Sequence, residues 1–177
     1  MKLNLASHGD NIPGFINIDF HDQSADLHAD VTNLPFPDNS AEVIYASHIL
    51  EHMRMGDYEA TLANPLNQRT VLETLAEWKR VLKPGGTLEI KVPDFNKCAH
   101  LYHQMPDWAR APGPDGIFPN VFYWLSGNGQ HQAIFDKPTM EAVLRKAGFC
   151  NIQFIDEELH VVDRKSLETH VTCIKHI

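Results

Sequence analysis

Apolar and polar residues alternate in several short stretches of the chain, and this period of two predicts β-strands. Leu3 and Leu5 alternate with polar neighbours, and residues 15–18 follow a Pro-Gly turn. Residues 42–46 are rich in β-branched and aromatic side chains, and residues 87–92 alternate again before a proline. These stretches are predicted to be successive core strands.

Two stretches with helical spacing lie between or after these strands. The first is predicted to run from Pro65 to Leu82, with Asn64 as the N-cap and Pro65 at the first position. The run at 83–86, Lys-Pro-Gly-Gly, should end it. A second helix is predicted over Pro138–Lys146, closed by Gly148. Strands separated by helices imply an α/β fold.

The connections between the first three strands are short. Residues 6–14 and 21–26 are fewer than a parallel crossover with a helix requires, so helices should be reduced on one face of the sheet. We expect the 95–136 segment or a second subunit to cover that face. A last strand pair is predicted near 151–155 and 170–174.

Composition narrows the class of protein. The 177 residues carry a net charge of −8 and are 43% hydrophobic, which fits a single domain over residues 1–177 with its own core. The excess of acids argues against nucleic acid as a partner. No apolar stretch is long enough for a membrane span, and the three scattered cysteines suit a reducing compartment. A cytoplasmic location is expected.

Three groups of residues follow the ends of predicted strands, where open α/β sheets bind ligands. The turn at 6–10 contains small residues that allow backbone N–H groups to approach a ligand. Asp19 could accept hydrogen bonds from a ribose diol, or it could be an ordinary loop or capping acid. Asp30 could accept from an adenine amino group while the amide of Val31 donates to the ring, or it could be an ordinary acid before a turn. Together they favour an adenosine-type ligand.

The sequence resembles the class I S-adenosylmethionine-dependent methyltransferases. The most specific stretches are 33–40, 46–52 and above all 77–86, which reads Glu-Trp-Lys-Arg-Val-Leu-Lys-Pro-Gly-Gly. The similarity extends to Ala147-Gly148-Phe149 and covers roughly residues 2–155. It implies a Rossmann-like methyltransferase fold, with a mostly parallel sheet and an antiparallel C-terminal strand, and S-adenosylmethionine as cofactor.

The resemblance also implies a set of cofactor-binding residues. They are Ala6, Ser7, His8, Gly9, Asp19, Phe20, Asp30, Val31, Ser47 and His48. The turn at 6–9 matches the family's glycine-rich turn beside the methionine part of the cofactor. Asp19 matches the acid that binds the ribose hydroxyls, and Phe20 lies near the adenine. The pair 30–31 matches the adenine edge, and the pair 47–48 faces cofactor and acceptor.

One departure from the family pattern falls on the cofactor turn. Relatives with this short first connection read Leu-Asn-Leu-Gly-Ser-Gly, whereas residues 3–9 read Leu-Asn-Leu-Ala-Ser-His-Gly. If the first turn position needs a positive φ, Ala6 costs about 1 kcal/mol or more. The imidazole of His8 could occupy cofactor space, unless Gly9 serves as the second glycine.

The chain has 11 histidines, and two of them are candidates for a catalytic role. His131, in a region that borders the acceptor pocket by resemblance, is the leading candidate for a general base, and His48 is the second. His48-Ile-Leu-Glu-His52 also fits an inverted zinc-protease motif, with both imidazoles on one helix face. No third ligand is specified, so no metal site is expected.

The function expected from these observations is S-adenosylmethionine-dependent methyl transfer to a small-molecule or saccharide-type acceptor. The alternative is a noncatalytic binding or assembly protein that kept the scaffold and lost the cofactor turn. Ala6 and His8 favour the alternative, and the acids Asp19 and Asp30 favour the enzyme. A homodimer is a further expectation, because a thinly covered sheet face suits association.

Overall fold

The computed structural model describes residues 1–56, 69–104, 130–155 and 167–176. Seven strands lie within these ranges: β1 (Lys2–Leu5), β2 (Ile16–Asp19), β3 (Leu27–His28), β4 (Ala41–Ser47), β5 (Leu82–Pro93), β6 (Phe149–Ile155) and β7 (Glu168–Lys175). The helical elements are a short 3₁₀ turn, η1 (Leu50–His52), and the helices α1 (Val71–Val81), α2 (Phe95–Gln104) and α3 (Lys137–Lys146).

The strands form a seven-stranded sheet in the order β3-β2-β1-β4-β5-β7-β6. Neighbours among β1 to β5 are parallel, and β7 is antiparallel both to β5 and to β6. The sheet order changes direction at β1, which lies between β2 and β4. The predicted mostly parallel sheet with an antiparallel C-terminal strand, β7, is therefore confirmed.

The strand register aligns the apolar residues on one face of the sheet. Leu3 is paired with Ile44, Ile44 with Leu88, and Leu88 with Cys173. All four are at most 1% exposed and belong to one hydrophobic core. Side chains from α1 and α3 complete this core: Leu75, Trp78, Met140 and Leu144. These two helices thus supply the apolar surface that the strands require.

The next row of paired residues points to the opposite face, because side chains alternate along a strand. It consists of Asn4, Tyr45, Glu89 and Thr172. The Glu89 carboxylate lies 2.7 Å from Nε2 of His170 on the same face. This face is therefore polar, in contrast to the one that α1 and α3 cover.

Helices are reduced on this polar face, as the short connections predict. Residues 6–15 and 20–26 are described throughout and contain turns and bends but no helix. The helix α2 and residues 130–136 belong to the segment expected to cover the face, whereas residues 105–129 of that segment lie outside the described residues. Coverage by that segment or by a second subunit stays a prediction.

The predicted start of the first long helix is wrong. The helix α1 begins at Val71, and Arg69 is not helical. Thr70 and Glu73 form a capping box, in which Thr70 Oγ1 accepts from the Glu73 N–H at 3.2 Å and Glu73 Oε2 accepts from the Thr70 N–H at 2.8 Å. This reciprocal cap stabilises a helix that begins at Val71, later than the predicted start. Asn64 and Pro65 lie outside the described residues.

The second predicted helix is confirmed as α3. Asp136 is its N-cap and accepts from the Thr139 N–H at 2.9 Å, and Gly148 follows it with a φ of +84°. Trp78, on α1, is fully buried. None of the helices in the described parts of the chain is long and apolar enough to cross a membrane.

Candidate cofactor and acceptor site

The turn after β1 has an unusual backbone conformation. Ala6, His8 and Gly9 have φ values of +54°, +42° and +87°. Ser7, between them, is 4% exposed and donates its backbone N–H to the Ile18 carbonyl at 3.1 Å. The first position of the turn therefore does require a positive φ, and Ala6 adopts it at a cost of about 1–2 kcal/mol.

Asp19, at the end of β2, fixes this turn from the neighbouring strand. Its carboxylate accepts from the backbone N–H groups of His8 at 3.1 Å, His21 at 2.8 Å and Asp22 at 2.9 Å. Burial opposes ionisation of Asp19, but these three N–H groups outweigh it and hold its pKa below the usual value. They occupy three of about four acceptor positions on the carboxylate. Asp19 thus organises the turn, and one acceptor position remains.

The residues expected at the adenine edge lie after β2 and β3. Asp30 is exposed, and its Oδ1 accepts from both the N–H and the hydroxyl of Thr32 at 2.8 Å. The Val31 carbonyl accepts from the Trp78 indole N–H at 2.9 Å, which ties this loop to α1. Phe20 is 64% exposed. An exposed aromatic ring beside a fixed loop can stack on a planar ligand.

His48, directly after β4, lies between two carboxylates. Its φ is +54°, and its N–H donates to the Lys91 carbonyl of β5 at 2.9 Å. Nδ1 is 3.2 Å from Glu51 and Nε2 is 2.9 Å from Glu168. Burial alone would lower the pKa of His48, but the hydrogen bonds to Glu168 and Glu51 and their charges raise it to about 9. His48 is therefore an imidazolium at neutral pH.

His131 and His52 also lie beside Glu51. The Glu51 carbonyl accepts from the Gln132 N–H at 2.8 Å and from the Ala133 N–H at 3.0 Å, which holds the 130–133 segment against η1. The rings of His52 and His131 are in edge contact, with centroids 4.8 Å apart. Nε2 of His131 is 3.9 Å from Oε1 of Glu51.

The inverted zinc-protease motif does not form one helix face. Only Leu50–His52 are helical, in a single 3₁₀ turn, and His48 precedes it. His48 therefore contacts Glu168, and His52 contacts His131 instead. The expectation of both imidazoles on one helix face is wrong, because the chain turns sharply at His48.

The structure brings most of the predicted site residues to the carboxyl edge of the parallel strands. The turn at 6–9 is hydrogen-bonded to Asp19. Ser47 is the last residue of β4, which is the neighbour of β1 on the side away from β2. His48 and His131 both face Glu51. Sequence reasoning missed Glu51 and Glu168 as partners of His48. The H-x-x-E-H motif contained a signal for Glu51, whereas Glu168 had none because it lies 120 residues further along the chain.

This strand order, in which the antiparallel β7 lies between β5 and β6, is that of the class I methyltransferase-type α/β fold. The chain matches the Methyltransferase domain family over residues 10–90. It is 30% identical over 141 residues to the demethylmenaquinone methyltransferase of Staphylococcus saprophyticus, which covers 72% of this chain and 49% of that protein. The family match and the relative together support a class I S-adenosylmethionine-dependent methyltransferase, and S-adenosylmethionine is the cofactor that they imply.

Solved structures support the fold. One is a chain of the Haloferax volcanii complex between the Trm112 methyltransferase activator and a methyltransferase, with a TM-score of 0.61, 13% identity, and coverage of 99% of this chain and 82% of that one. Another is a SAM-dependent methyltransferase from Thermotoga maritima, with a TM-score of 0.59 and 13% identity. The match covers 98% of this chain and 81% of that one. The chain spans about half the length of the curated relative that it matches.

Proposed function

We propose that this protein binds S-adenosylmethionine at the carboxyl ends of β1, β2 and β3 and transfers its methyl group to a small-molecule acceptor. The observation that carries the proposal is the turn after β1. Its Ser7 hydroxyl is buried and has no hydrogen-bond partner among the described residues. A buried polar group without a partner is costly, and a polar ligand in the turn would satisfy it.

The chain's own residues fit the parts of this cofactor. Ser7 and the backbone of the turn would face the methionine part, and the remaining acceptor position of Asp19 would take a ribose hydroxyl. Phe20 would stack on the adenine, and the pair 30–31 would contact the adenine edge. When bound, the cofactor supplies an electrophilic methyl group on a sulfonium, so alignment and exclusion of water are the main tasks of the protein.

The acceptor would lie beside the His48–Glu51–His131 group, next to Ser47 at the end of β4. His48 carries a proton on both ring nitrogens at neutral pH, so we assign it a positioning role rather than that of a base. His131 remains the proposed base for a hydroxyl acceptor. The relative is named for demethylmenaquinone, a small molecule, and this favours a small-molecule acceptor. A saccharide-type acceptor stays a prediction.

A noncatalytic binding or assembly role is the second candidate function. It is favoured by Ala6 and His8, which stand where short-turn relatives have glycines. Ala6 adopts the strained conformation nevertheless, so the shape of the turn is kept in spite of the substitution. The two candidates therefore differ in whether the turn still admits the cofactor, and a binding measurement separates them.

The test is isothermal titration with S-adenosylhomocysteine of the wild-type protein and of two matched variants. Phe20 is 64% exposed and Phe95 is 47% exposed, so neither replacement removes a core side chain. Because stacking on a base is worth about 1–3 kcal/mol, Phe20→Ala should weaken binding roughly 5- to 150-fold, with Phe95→Ala close to wild type. An absence of binding by the wild-type protein, or equal effects of the two variants, would contradict the proposed site.

A further inference from the structure

Three potential metal ligands converge beside η1. Glu51, His52 and His131 each offer one ligand atom, and these atoms all lie within 4.8 Å of one another. Ligands bound about 2.0–2.2 Å from one ion are separated by at most about 4.4 Å. In a tetrahedral site such ligands are about 3.3–3.6 Å apart, so side-chain rotations that move these atoms by about an ångström would bring all three around one ion.

The buried carboxylate of Glu51 is a second observation that points to a ligand. Glu51 is 1% exposed, and its Oε2 has no hydrogen-bond partner among the described residues. Its other oxygen, Oε1, interacts with Nδ1 of His48 at 3.2 Å. Burying a carboxylate oxygen away from water without a hydrogen bond costs free energy. A bound cation would offset this cost by interacting with the oxygen directly.

The surroundings of the two histidines hold them in place in the manner of metal ligands. The His52 ring forms a hydrogen bond with the backbone of Gln130, the residue next to His131. Such a bond from the second nitrogen fixes the tautomer and orientation of metal-binding histidines. His131 is held on the opposite side because Gln132 and Ala133 donate to the Glu51 carbonyl.

We infer that Glu51, His52 and His131 form a binding site for one divalent transition-metal ion. Two imidazoles and one carboxylate suit Zn²⁺, Fe²⁺ or Co²⁺ better than Mg²⁺ or Ca²⁺, which prefer oxygen ligands. Three protein ligands leave at least one coordination position open. The sequence contained two of the ligands in the H-x-x-E-H motif, and the fold supplies the third, His131, 79 residues later than His52.

The site deepens the proposed function, on which this role rests. The open position would bind a hydroxyl-bearing acceptor and lower the pKa of its hydroxyl group, with the proton leaving to solvent. The acceptor oxygen would then form a bond to the cofactor's methyl carbon while the carbon–sulfur bond breaks, and its electron pair stays on sulfur as S-adenosylhomocysteine forms. In that case His131 acts as a ligand rather than as the base.

The test is titration of the metal-free full chain with Co²⁺, followed by visible d–d absorption. The wild-type protein should bind one Co²⁺, Zn²⁺ should displace it and excess Mg²⁺ should not. His52→Ala and His131→Ala should each weaken binding by more than the roughly 10- to 100-fold that loss of an outer-shell partner costs. His100→Ala, which removes an exposed histidine on α2, is the matched control and should bind as wild type.

The possible outcomes separate this site from the cofactor proposal. Absence of a saturable Co²⁺ band in the folded wild-type protein overturns the metal site, whatever the variants do. A band that persists in both His52→Ala and His131→Ala also overturns it. Titration with S-adenosylhomocysteine of the same samples reports on the cofactor site independently, because His131 is assigned no contact with the cofactor.

Discussion

Ala6 is the residue at which the cofactor turn is most clearly strained. Its φ of +54° lies in the left-handed region, where an L-residue with a Cβ is disfavoured and glycine is not. His8 has the same strain with a φ of +42°. Backbone strain of this kind persists only where the surroundings enforce it, and here Asp19 does so by accepting from the His8 N–H. The turn is therefore held in shape by its neighbour.

Replacing Ala6 by glycine should stabilise the protein, because the strain is removed. We expect Ala6→Gly to raise the free energy of unfolding by about 1 kcal/mol, measured by urea denaturation. Ala25→Gly is the matched control, since Ala25 does not have a positive φ and glycine there adds only chain entropy to the unfolded state. It should lower stability by about 0.4–1 kcal/mol. Loss of stability in both variants would contradict the assigned strain.

The backbone strain at Ala6 could be predicted from the sequence, but the carboxylate partners of His48 could not. The positive φ of Ala6 followed from the family's glycine at that position. The carboxylates around His48 could not be foreseen, because Glu168 comes from β7 and only the completed sheet brings it to His48. Long-range pairs of this kind leave no local pattern in the sequence.

At the scale of elements, the helix α1 shows how local chemistry decides a boundary. Proline at a first helical position is favourable, which led to the predicted start at Pro65. The capping box of Thr70 and Glu73 satisfies two backbone N–H groups reciprocally and starts the helix at Val71. The strands were predicted well because alternation with a period of two is visible in the sequence itself.

The capping box makes a measurable contribution to stability. Thr70→Ala removes the hydroxyl that accepts from the Glu73 N–H, and it should lower the free energy of unfolding by about 1 kcal/mol. Thr70→Ser keeps a capping hydroxyl and should remain close to wild type. Thermal or urea denaturation measures both. If the two variants are equally destabilised, the contribution comes from the threonine methyl group rather than from the cap.

At the scale of the whole molecule, the topology explains where the site lies. The sheet order changes direction at β1, and ligands of open α/β sheets bind outside the carboxyl ends of the strands at such a point. The proposed site residues lie at the carboxyl ends of three neighbouring strands, β2, β1 and β4. They are Asp19 at the end of β2, the turn at 6–9 after β1, and the pair 47–48 at the end of β4. The sequence order of the strands could not reveal this adjacency without the family resemblance. The polar face of the sheet is opposite to the face that forms the core with α1 and α3.

The most direct test of the central claim is to map S-adenosylhomocysteine onto the protein by its effect on backbone amide NMR shifts. We expect saturable shifts concentrated at residues 6–9, 19–20, 30–31 and 47–48, with little change along β6. Binding that shifts other residues instead, or no binding at all, would contradict a cofactor site at the carboxyl ends of these strands and would favour the noncatalytic role.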